Sequence, residues 1–315
     1  MRFRQAAAGA LLAVICCGGA QAEFPDRPIR LVVPFAPGGA NDSVARLISD
    51  RLSKILGQPM VVENRPGGGT LVGTNSVATA APDGSTLLLI SPAHTINPYI
   101  NKNLPYRTLE DFTPIGQITR AAYVMVTAAA SPFKTIRDFA KPDHPSVTFA
   151  SAGAGSAPHL AAQLFVSSLG VNYVHVPYQG GAPALTATLG GHTPLVYGNV
   201  SEIGAHARSG KLRPLVLSTR APSLPDVPTF AESGFPQLEA SNWSGMVVPA
   251  ATPAEIVAQL NAPLVRALAE PDVVEKFRSY DFIPMPGTPE QFEAFLRSES
   301  ARYAKVIREA GIKSE

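Results

Sequence analysis

The 315-residue sequence contains only two cysteines, and both, Cys16 and Cys17, lie within the first 22 residues. Charged residues are scarce at 16%, apolar residues reach 45%, and the 26 basic side chains nearly balance the 24 acidic ones without forming a basic block. This composition excludes a disordered chain, and it gives no sign of a nucleic-acid-binding surface. After residue 22 no apolar run reaches the roughly 18 residues of a transmembrane helix.

The first 22 residues have the features of a secretory signal peptide. Arg2 and Arg4 precede a 12-residue apolar run, Ala6 to Cys17, and Ala20-Gln21-Ala22 is a small-x-small cleavage site. This apolar run is too short for a membrane anchor, which needs about 20 residues to span the bilayer. A lipoprotein is the other alternative, but neither cysteine follows the small residue expected there. We therefore expect a cysteine-free mature chain in the periplasm, cleaved after Ala22, without disulfides or thiolate sites.

Strand-like and helix-like patterns alternate along the mature chain, which is typical of α/β proteins. Ile29 to Pro34 is a short apolar strand, and apolar residues at spacings of three and four then predict a helix from Val44 to Leu56. A second segment of strand, Gly/Ser loop and helix covers Val147 to Leu169. Ligands of open α/β sheets lie beyond the carboxyl ends of strands, against helix N-termini, so both loops are candidate binding sites.

The two loops offer neutral hydrogen-bond donors. Gly38 and Gly39 in the first loop let the backbone approach a ligand, and Ser151 to Ser156 in the second adds two hydroxyls. Neither loop contains Lys or Arg. A carboxylate would therefore be held by oriented N–H and O–H groups, and the alternative is that both loops are ordinary tight connections.

Catalytic, metal and cofactor motifs are weak or missing. The glycine patterns fail as dinucleotide and phosphate fingerprints, and the six histidines have no metal-ligand spacing. Ser156 and His159 are three residues apart, so a Ser–His nucleophile is a hypothesis, but no orienting acid is apparent. Trp243 is either a core anchor or a cleft wall, and Tyr178 either binds ligand or packs. We predict no cofactor and no metal.

Two helix starts stand out near the C-terminus. Thr252-Pro253-Ala254-Glu255 and Thr288-Pro289-Glu290-Gln291 both have the capping-box pattern with proline at the first helical position. They predict helices that run to about Leu268 and about Ala310.

The motifs resemble those of Bug-type extracytoplasmic solute receptors, the substrate-binding subunits of tripartite tricarboxylate transporters. The resemblance covers nearly the whole mature chain, and the segments that carry it are Val33–Gly39 with Asp42, Ala45 and Arg46, Val62–Gly67, Pro82–Gly84, Ala150–Gly153 with Gly155, Ser156, His159 and Leu160, Val176–Tyr178 with Gly180, Gly190–Gly191, and Pro249 with Thr252–Pro253.

The resemblance implies an α/β fold of the periplasmic-binding-protein type, type II-like, with a ligand cleft between two domains. Domain 1 is expected to be discontinuous, from residues 23–125 and 241–315, with domain 2 inserted at 126–240. Combined with His159 and Trp243 from the analysis above, it predicts ligand contacts from Phe35, Ala36, Gly38, Gly39, Asn41, Asp42, Ser91, Ser151, Ala152, Gly155, Ser156, His159, Tyr178, Asn199 and Trp243.

The implied function is capture of a small organic acid and its delivery to the permease subunits of a tripartite tricarboxylate transporter, by a monomer without enzymatic activity. An esterase-like periplasmic enzyme using Ser156 and His159, and a module feeding a membrane sensor, are the alternatives. Many relatives carry Phe-Asp-Asn where this chain has Tyr197-Gly198-Asn199. Because Gly198 supplies no acceptor for an ammonium group, and Asp42 is expected to cap a helix, the sequence favours a plain carboxylate over an amino acid.

We expect the mature protein to begin at Glu23, because the small-x-small site ends at Ala22. N-terminal sequencing of protein from the periplasmic fraction checks this. A chain that starts at Met1, or at a lipidated cysteine, contradicts it.

Overall fold

The computed structural model describes residues 24–140, 147–153, 156–169 and 172–309. The predicted signal peptide, its cleavage site and Gly155 lie outside these residues. The described part contains a six-stranded and a five-stranded β-sheet, each covered by helices. We call residues 24–121 and 242–309, which contain the larger sheet, the first lobe, and residues 123–217, which contain the smaller sheet, the second lobe.

The first part of the first lobe alternates strands and helices. Its elements are β1 (Ile29–Val33), α1 (Ala40–Leu56), β2 (Met60–Asn64), a 3₁₀ turn (Gly68–Thr70), α2 (Leu71–Ala78), β3 (Thr86–Ile90), α3 (Pro92–Ile100) and β4 (Phe112–Ala121). The helix predicted from Val44 to Leu56 is confirmed, and it ends at Gly57, whose φ of 68° is the left-handed conformation that glycine adopts readily.

The second lobe repeats the alternation. Its elements are β5 (Tyr123–Ala128), a 3₁₀ turn (Ile136–Ala140), β6 (Val147–Ser151), α4 (Ala157–Leu169), β7 (Tyr173–Pro177), α5 (Gly181–Leu189), β8 (Leu195–Asn199), α6 (Val200–Arg208) and β9 (Leu212–Leu217). The chain then returns to complete the first lobe with β10 (Asn242–Pro249), α7 (Ala254–Ala269), α8 (Pro271–Arg278), β11 (Ile283–Pro284) and α9 (Pro289–Glu309).

The two sheets arrange their parallel strands in the same way. The first runs β11-β4-β10-β3-β1-β2 and the second β7-β6-β8-β5-β9, so the first strand of each parallel unit lies between the second and the third. β1 is parallel to β2 and β3, and β6 is parallel to β7 and β8. The loops after β1 and β6 therefore occupy equivalent positions, as their common pattern of strand, loop and helix predicted.

The lobes are joined by a polar crossing point and a shared apolar cluster. Tyr123 donates its N–H to Ser218 Oγ at 2.9 Å and its hydroxyl to Asn242 Oδ1 at 3.2 Å. Tyr303 of α9 packs in the same buried cluster as Phe149 of the second lobe. The chain changes sheets between β4 and β5, and the exact predicted domain bounds stay a prediction.

The first-lobe core lies between the sheet and helices α1 and α7. Leu31 of β1 packs with Ile48 of α1 and Leu264 of α7, and each is at most 1% exposed. Burying an aliphatic side chain of this size contributes about 1.5–3 kcal/mol relative to leaving it in water. The apolar spacing of α1 therefore fixes which face of that helix meets the sheet.

The two predicted capping boxes behave differently. At Thr288 the box is complete, because Gln291 donates its N–H to Thr288 Oγ1 at 3.3 Å and Thr288 donates its N–H to Gln291 Oε1 at 3.0 Å. Helix α7 also starts where predicted, but Pro253 is its N-cap residue, and the buried hydroxyl of Thr252 has no hydrogen-bond partner. The capping role predicted for the Thr252 side chain is therefore wrong.

These two threonines give a matched test of helix capping. We expect Thr288→Val to lower the free energy of unfolding by about 1 kcal/mol, because the cap is lost. Thr252→Val should be neutral or slightly stabilising, because it replaces an unpaired buried hydroxyl by a methyl group of similar shape. Denaturant unfolding of both variants measures the difference, and equal destabilisation would contradict the assignment.

Candidate ligand-binding site

A cavity of about 300 Å³ lies between the lobes, at the carboxyl ends of their parallel strands. Loops after β1 and β2 and the start of α3 form its first-lobe wall, and loops after β6 and β7 form the opposite wall. Its described lining carries no charged side chain and consists of Pro34, Phe35, Ala36, Pro66, Gly67, Gly68, Gly69, Thr70, Ala93, Ala152, Gly153, Ser156, Pro177, Tyr178, Gln179 and Gly180. The volume is at the lower end of the range of about 300–1,000 Å³ for small-molecule sites.

The loop after β1 brings N–H donors to the cleft, but two of them are already bonded to carboxylates of this chain. Gly38, with a φ of 87°, donates its N–H to Asp42 Oδ2 at 2.9 Å. Ala40, the first residue of α1, donates its N–H to Glu202 Oε1 of the second lobe at 2.8 Å. A ligand therefore meets fewer free donors at this helix start than the sequence suggested.

Asp42 organises the loop from within the first turn of α1. Besides the Gly38 N–H, it accepts hydrogen bonds from Arg46 Nε and Asn64 Nδ2, both at 2.9 Å. Burial by itself would raise the pKa of Asp42, but these hydrogen bonds outweigh it and hold the pKa below its usual value. The carboxylate thus holds the loop and the helix start together, but the capping role expected for Asp42 is wrong, because the N-cap residue is Gly39 and no side chain caps the helix.

The facing loop after β6 is held by its own serines. Ser151 is fully buried, and its Oγ lies 2.7 Å from His175 Nε2 and 3.2 Å from the Gly153 carbonyl oxygen. Ser156 donates its hydroxyl to the Gly153 carbonyl oxygen at 2.7 Å and accepts the His159 N–H at 3.3 Å. Ser156 therefore has the bonds of a helix cap, while Ser151 supports the loop from behind the cavity.

Two stacked histidines lie beneath this loop. The rings of His159 and His175 have centroids 3.8 Å apart and planes inclined by 13°, and Phe149 stacks on His175 at 4.9 Å. Burial lowers the pKa of His159 to about 4. Burial, with the neighbouring His159 as a second cause, lowers the pKa of His175 to about 3. Both rings are therefore neutral near pH 7, and His175 supports Ser151 without bringing a positive charge to the cleft.

The predicted contact residues fall into three groups. Those that line the cavity are Phe35, Ala36, Ala152, Ser156 and Tyr178. Gly38 and Gly39 instead line a second cleft space of about 470 Å³. Residues that do not line either space are Asn41, Asp42, Ser91, Ser151, His159, Asn199 and Trp243. Ser91 is buried and precedes α3, whose second residue, Ala93, reaches the cavity.

Trp243 requires a correction, because the structure places it in the core of the first lobe. It is 1% exposed, its ring packs edge-on against Phe292 and Phe295, and its indole N–H donates to Glu299 Oε2 at 3.1 Å. Its polar atom is therefore satisfied inside the protein. Of the two roles left open by the sequence, the structure supports the core anchor and not the cleft wall.

Asn199 belongs to the polar crossing between the lobes. It is 8% exposed, accepts a hydrogen bond from Asn242 Nδ2 at 2.6 Å and donates to Glu202 Oε2 at 3.2 Å. Its amide is therefore engaged with protein groups on both sides. A role at the far end of the ligand remains only a prediction.

The sequence analysis missed two parts of the site. The loop from Gly67 to Thr70 lines the cavity, and all four residues have positive φ values. The run of glycines after β2 was a usable signal, since β2 ends at the same sheet edge as β1. Glu202 was also missed, although an acid in the first turn of the helix after β8 is a recognisable pattern. Its carboxylate also weakens the reasoning from Gly198 that the cleft lacks an acceptor.

The comparisons with known proteins agree with this architecture. Residues 44–312 match the model of the tripartite tricarboxylate transporter family receptor, TctC. The chain belongs to this family. Protein BugT of Bordetella pertussis is 36% identical over 299 residues, which cover 92% of this chain and 91% of BugT.

Solved structures of family members have the same fold. The periplasmic binding protein BugD is 33% identical, with a TM-score of 0.88 over 93% of this chain and all of BugD. Rpa4515 of R. palustris with adipate is 32% identical, with a TM-score of 0.88 over 93% of this chain and 100% of the Rpa4515 chain. MatC of Rhodopseudomonas palustris with bound malate is 33% identical, with a TM-score of 0.86 over 90% of this chain and 100% of MatC. The protein is thus a periplasmic solute-binding protein of the TctC family, and the predicted fold is confirmed.

The described part of the chain contains neither a membrane-spanning helix nor a cluster of metal-ligating side chains. Across residues 24–140, 147–153, 156–169 and 172–309, no helix is both long and apolar enough to cross a bilayer. The same part of the chain holds no group of three or more His, Cys, Asp or Glu side chains arranged to bind a metal ion.

The histidine stack predicts a pH dependence of stability. Because the folded-state pKa values of His159 and His175 lie below the value of 6.5 that is usual for histidine, the unfolded chain takes up protons first as the pH falls. Stability should therefore decrease from about pH 6.5 down to about pH 3, where the pKa of His175 lies. In His175→Gln, which keeps a polar atom near Ser151 but cannot titrate, this decrease should be shallower. Melting curves across that range measure it, and an identical pH profile contradicts the prediction.

Proposed function

We propose that this protein captures a small organic carboxylate between its lobes and delivers it to the membrane subunits of a tripartite tricarboxylate transporter. The observation that carries the proposal is the cavity of about 300 Å³, which is bounded by loops of both lobes and lined by neutral groups. Cleft closure around a ligand would bring together donors from two sheets. The chain acts as a monomer after its signal peptide has been removed at Ala22.

The available donors are sufficient for useful affinity. Binding with a micromolar dissociation constant requires about −8 kcal/mol. Four hydrogen bonds to a charged group at roughly 1.5–3 kcal/mol each give about 6–12 kcal/mol before the ordering of ligand and lobes is subtracted. Backbone N–H groups of Gly67 to Gly69, the Tyr178 hydroxyl and the Gln179 amide lie in segments that line the cavity, whereas the Thr70 N–H already donates to the Gly67 carbonyl oxygen at 3.1 Å. A carboxylate bound by such groups does not need a cationic side chain.

The relatives support a carboxylate ligand. Adipate accompanies the Rpa4515 structure and malate is bound to MatC, and both proteins have the fold of this chain over at least 90% of its length. The receptor-family match over residues 44–312 supports delivery to a transporter. Ser156 does not support the esterase-like alternative, because its hydroxyl is hydrogen-bonded to the backbone of its own loop and helix.

A tyrosine pair on β7 and its following loop tests the site. Tyr178 lines the cavity, whereas Tyr173 lies at the opposite end of the strand. We expect Tyr178→Phe to weaken carboxylate binding about fivefold, because loss of one hydroxyl donor costs about 1 kcal/mol. Tyr173→Phe should leave the affinity unchanged. Calorimetric titration of malate and adipate into the mature protein measures both.

Two outcomes contradict the proposal. One is a wild-type protein that binds none of the small carboxylates in the titration. The other is turnover of a carboxylate ester that the Ser156→Ala variant abolishes, because this would favour the enzymatic alternative.

A further inference from the structure

Two backbone segments face each other across the cleft, residues 35–40 of the first lobe and residues 177–182 of the second. The cavity of about 300 Å³ reaches Ala36 on the first segment and Gly180 on the second. The space of about 470 Å³ begins at Gly38 on the first and at Ala182 on the second. The boundary between the two spaces therefore falls at the same place on both segments.

The carboxylate of Glu202 lies at this boundary. Its Oε1 accepts the Ala40 N–H from the first lobe at 2.8 Å, and its Oε2 accepts the Asn199 Nδ2 from its own lobe at 3.2 Å. Glu202 starts from the first turn of α6, so its side chain spans the cleft to reach the N-terminus of α1. It thereby occupies one donor, the Ala40 N–H, that a ligand carboxylate would otherwise use at this helix start.

Two glycines make room for this carboxylate. A Cβ at Gly39 would lie 3.3 Å from Glu202 Oε1, and a Cβ at Gly181 would overlap the carboxylate itself. Neither glycine has a positive φ, so the backbone conformation does not require glycine at these positions. The space that the Glu202 carboxylate occupies is a sufficient reason for glycine at both positions. The two glycines therefore form a pocket that fits this carboxylate.

The Glu202 carboxylate is hydrogen-bonded to two neutral donors, the Ala40 N–H and Asn199 Nδ2. The described lining of the space of about 470 Å³, to which Glu202 belongs, contains His206 but no Lys or Arg, and the described lining of the ligand cavity carries no charged side chain. Burial raises the pKa of Glu202, although the hydrogen bonds from Ala40 and Asn199 oppose this. A ligand carboxylate brought against this end would meet a like charge in a site of low polarity, where repulsion is poorly screened.

We propose that Glu202 is a specificity-determining residue, which closes the α1 end of the ligand cavity and excludes a second ligand carboxylate there. The cavity then favours a ligand with one carboxylate and an uncharged or hydrogen-bond-donating far end over a dicarboxylate of equal length. This inference rests on the proposed function, because it concerns which carboxylates the same site accepts. The expected preference differs from the dicarboxylates adipate and malate, which accompany two similar solved structures.

Acids matched in chain length isolate the effect of one carboxylate. Hexanoate and adipate share six carbons, and butyrate and succinate share four, while each pair differs by one carboxylate. The variant Glu202→Gln removes the charge but keeps the side-chain volume, and Glu202→Ala also opens the boundary between the two spaces. The matched control is Glu255→Gln, which changes an exposed glutamate in the first turn of α7. The mature protein is titrated calorimetrically with all four acids.

We expect wild-type protein to bind hexanoate at least tenfold more tightly than adipate. Glu202→Gln should move this affinity ratio at least tenfold toward adipate, Glu202→Ala should move it at least as far, and Glu255→Gln should leave it unchanged. A wild type that prefers adipate overturns the inference, and this result does not depend on any variant folding. A ratio in both folded variants within threefold of wild type also overturns it. A wild type that binds none of the four acids instead contradicts the proposed function.

Discussion

Each sheet contains three parallel strands whose first strand lies between the second and the third, and the site depends on this constraint. Parallel strands present all their carboxyl ends at one edge, so the loops after β1, β2, β6 and β7 converge on the cleft. Helices α1 and α4 start directly from two of these loops. Backbone N–H groups are therefore supplied by the topology itself, and side chains only have to shape and divide the space.

Periodicity and helix-stop signals were enough to predict the first lobe's early elements and the repeated build of the second. Strand β4 and helix α3 were missed because each contains residues that normally interrupt such elements. Pro114 lies in β4 opposite a break in the β10 register, where its missing N–H is tolerated, and Pro98 lies inside α3. The Thr252 pattern located a helix correctly but not its cap, since only the folded geometry decides which donor the hydroxyl can reach.

Site residues could be predicted where they belong to one short segment of the sequence. They could not be predicted where a contact joins residues that are far apart in the sequence. The resemblance to Bug-type receptors predicted contacts from Ala36, Ala152 and Ser156, all of which line the cavity, whereas Gly38 and Gly39, chosen from the glycine pattern, line the second space. The hydrogen bond between Ala40 and Glu202 joins residues 162 positions apart, and nothing in the local pattern of either predicts the other. The prediction that Trp243 contacts the ligand was wrong for the same reason. Its hydrogen-bond partner Glu299 is 56 residues away in the sequence and accepts the indole N–H inside the core.

The described lining of the cavity carries no cationic side chain, and this affects how a charged ligand can be bound. Arginine or lysine in the wall would have to lose hydration when the lobes close, and the attraction to a ligand often does no more than offset that loss. Backbone N–H groups fixed by helices and loops undergo little reorganisation, but each can serve only one acceptor well. The number of N–H groups that are not already hydrogen-bonded within the protein then sets how many ligand carboxylates the cleft can bind. By occupying the Ala40 N–H, Glu202 reduces that number from within the protein, so a single side chain adjusts selectivity without altering the fold.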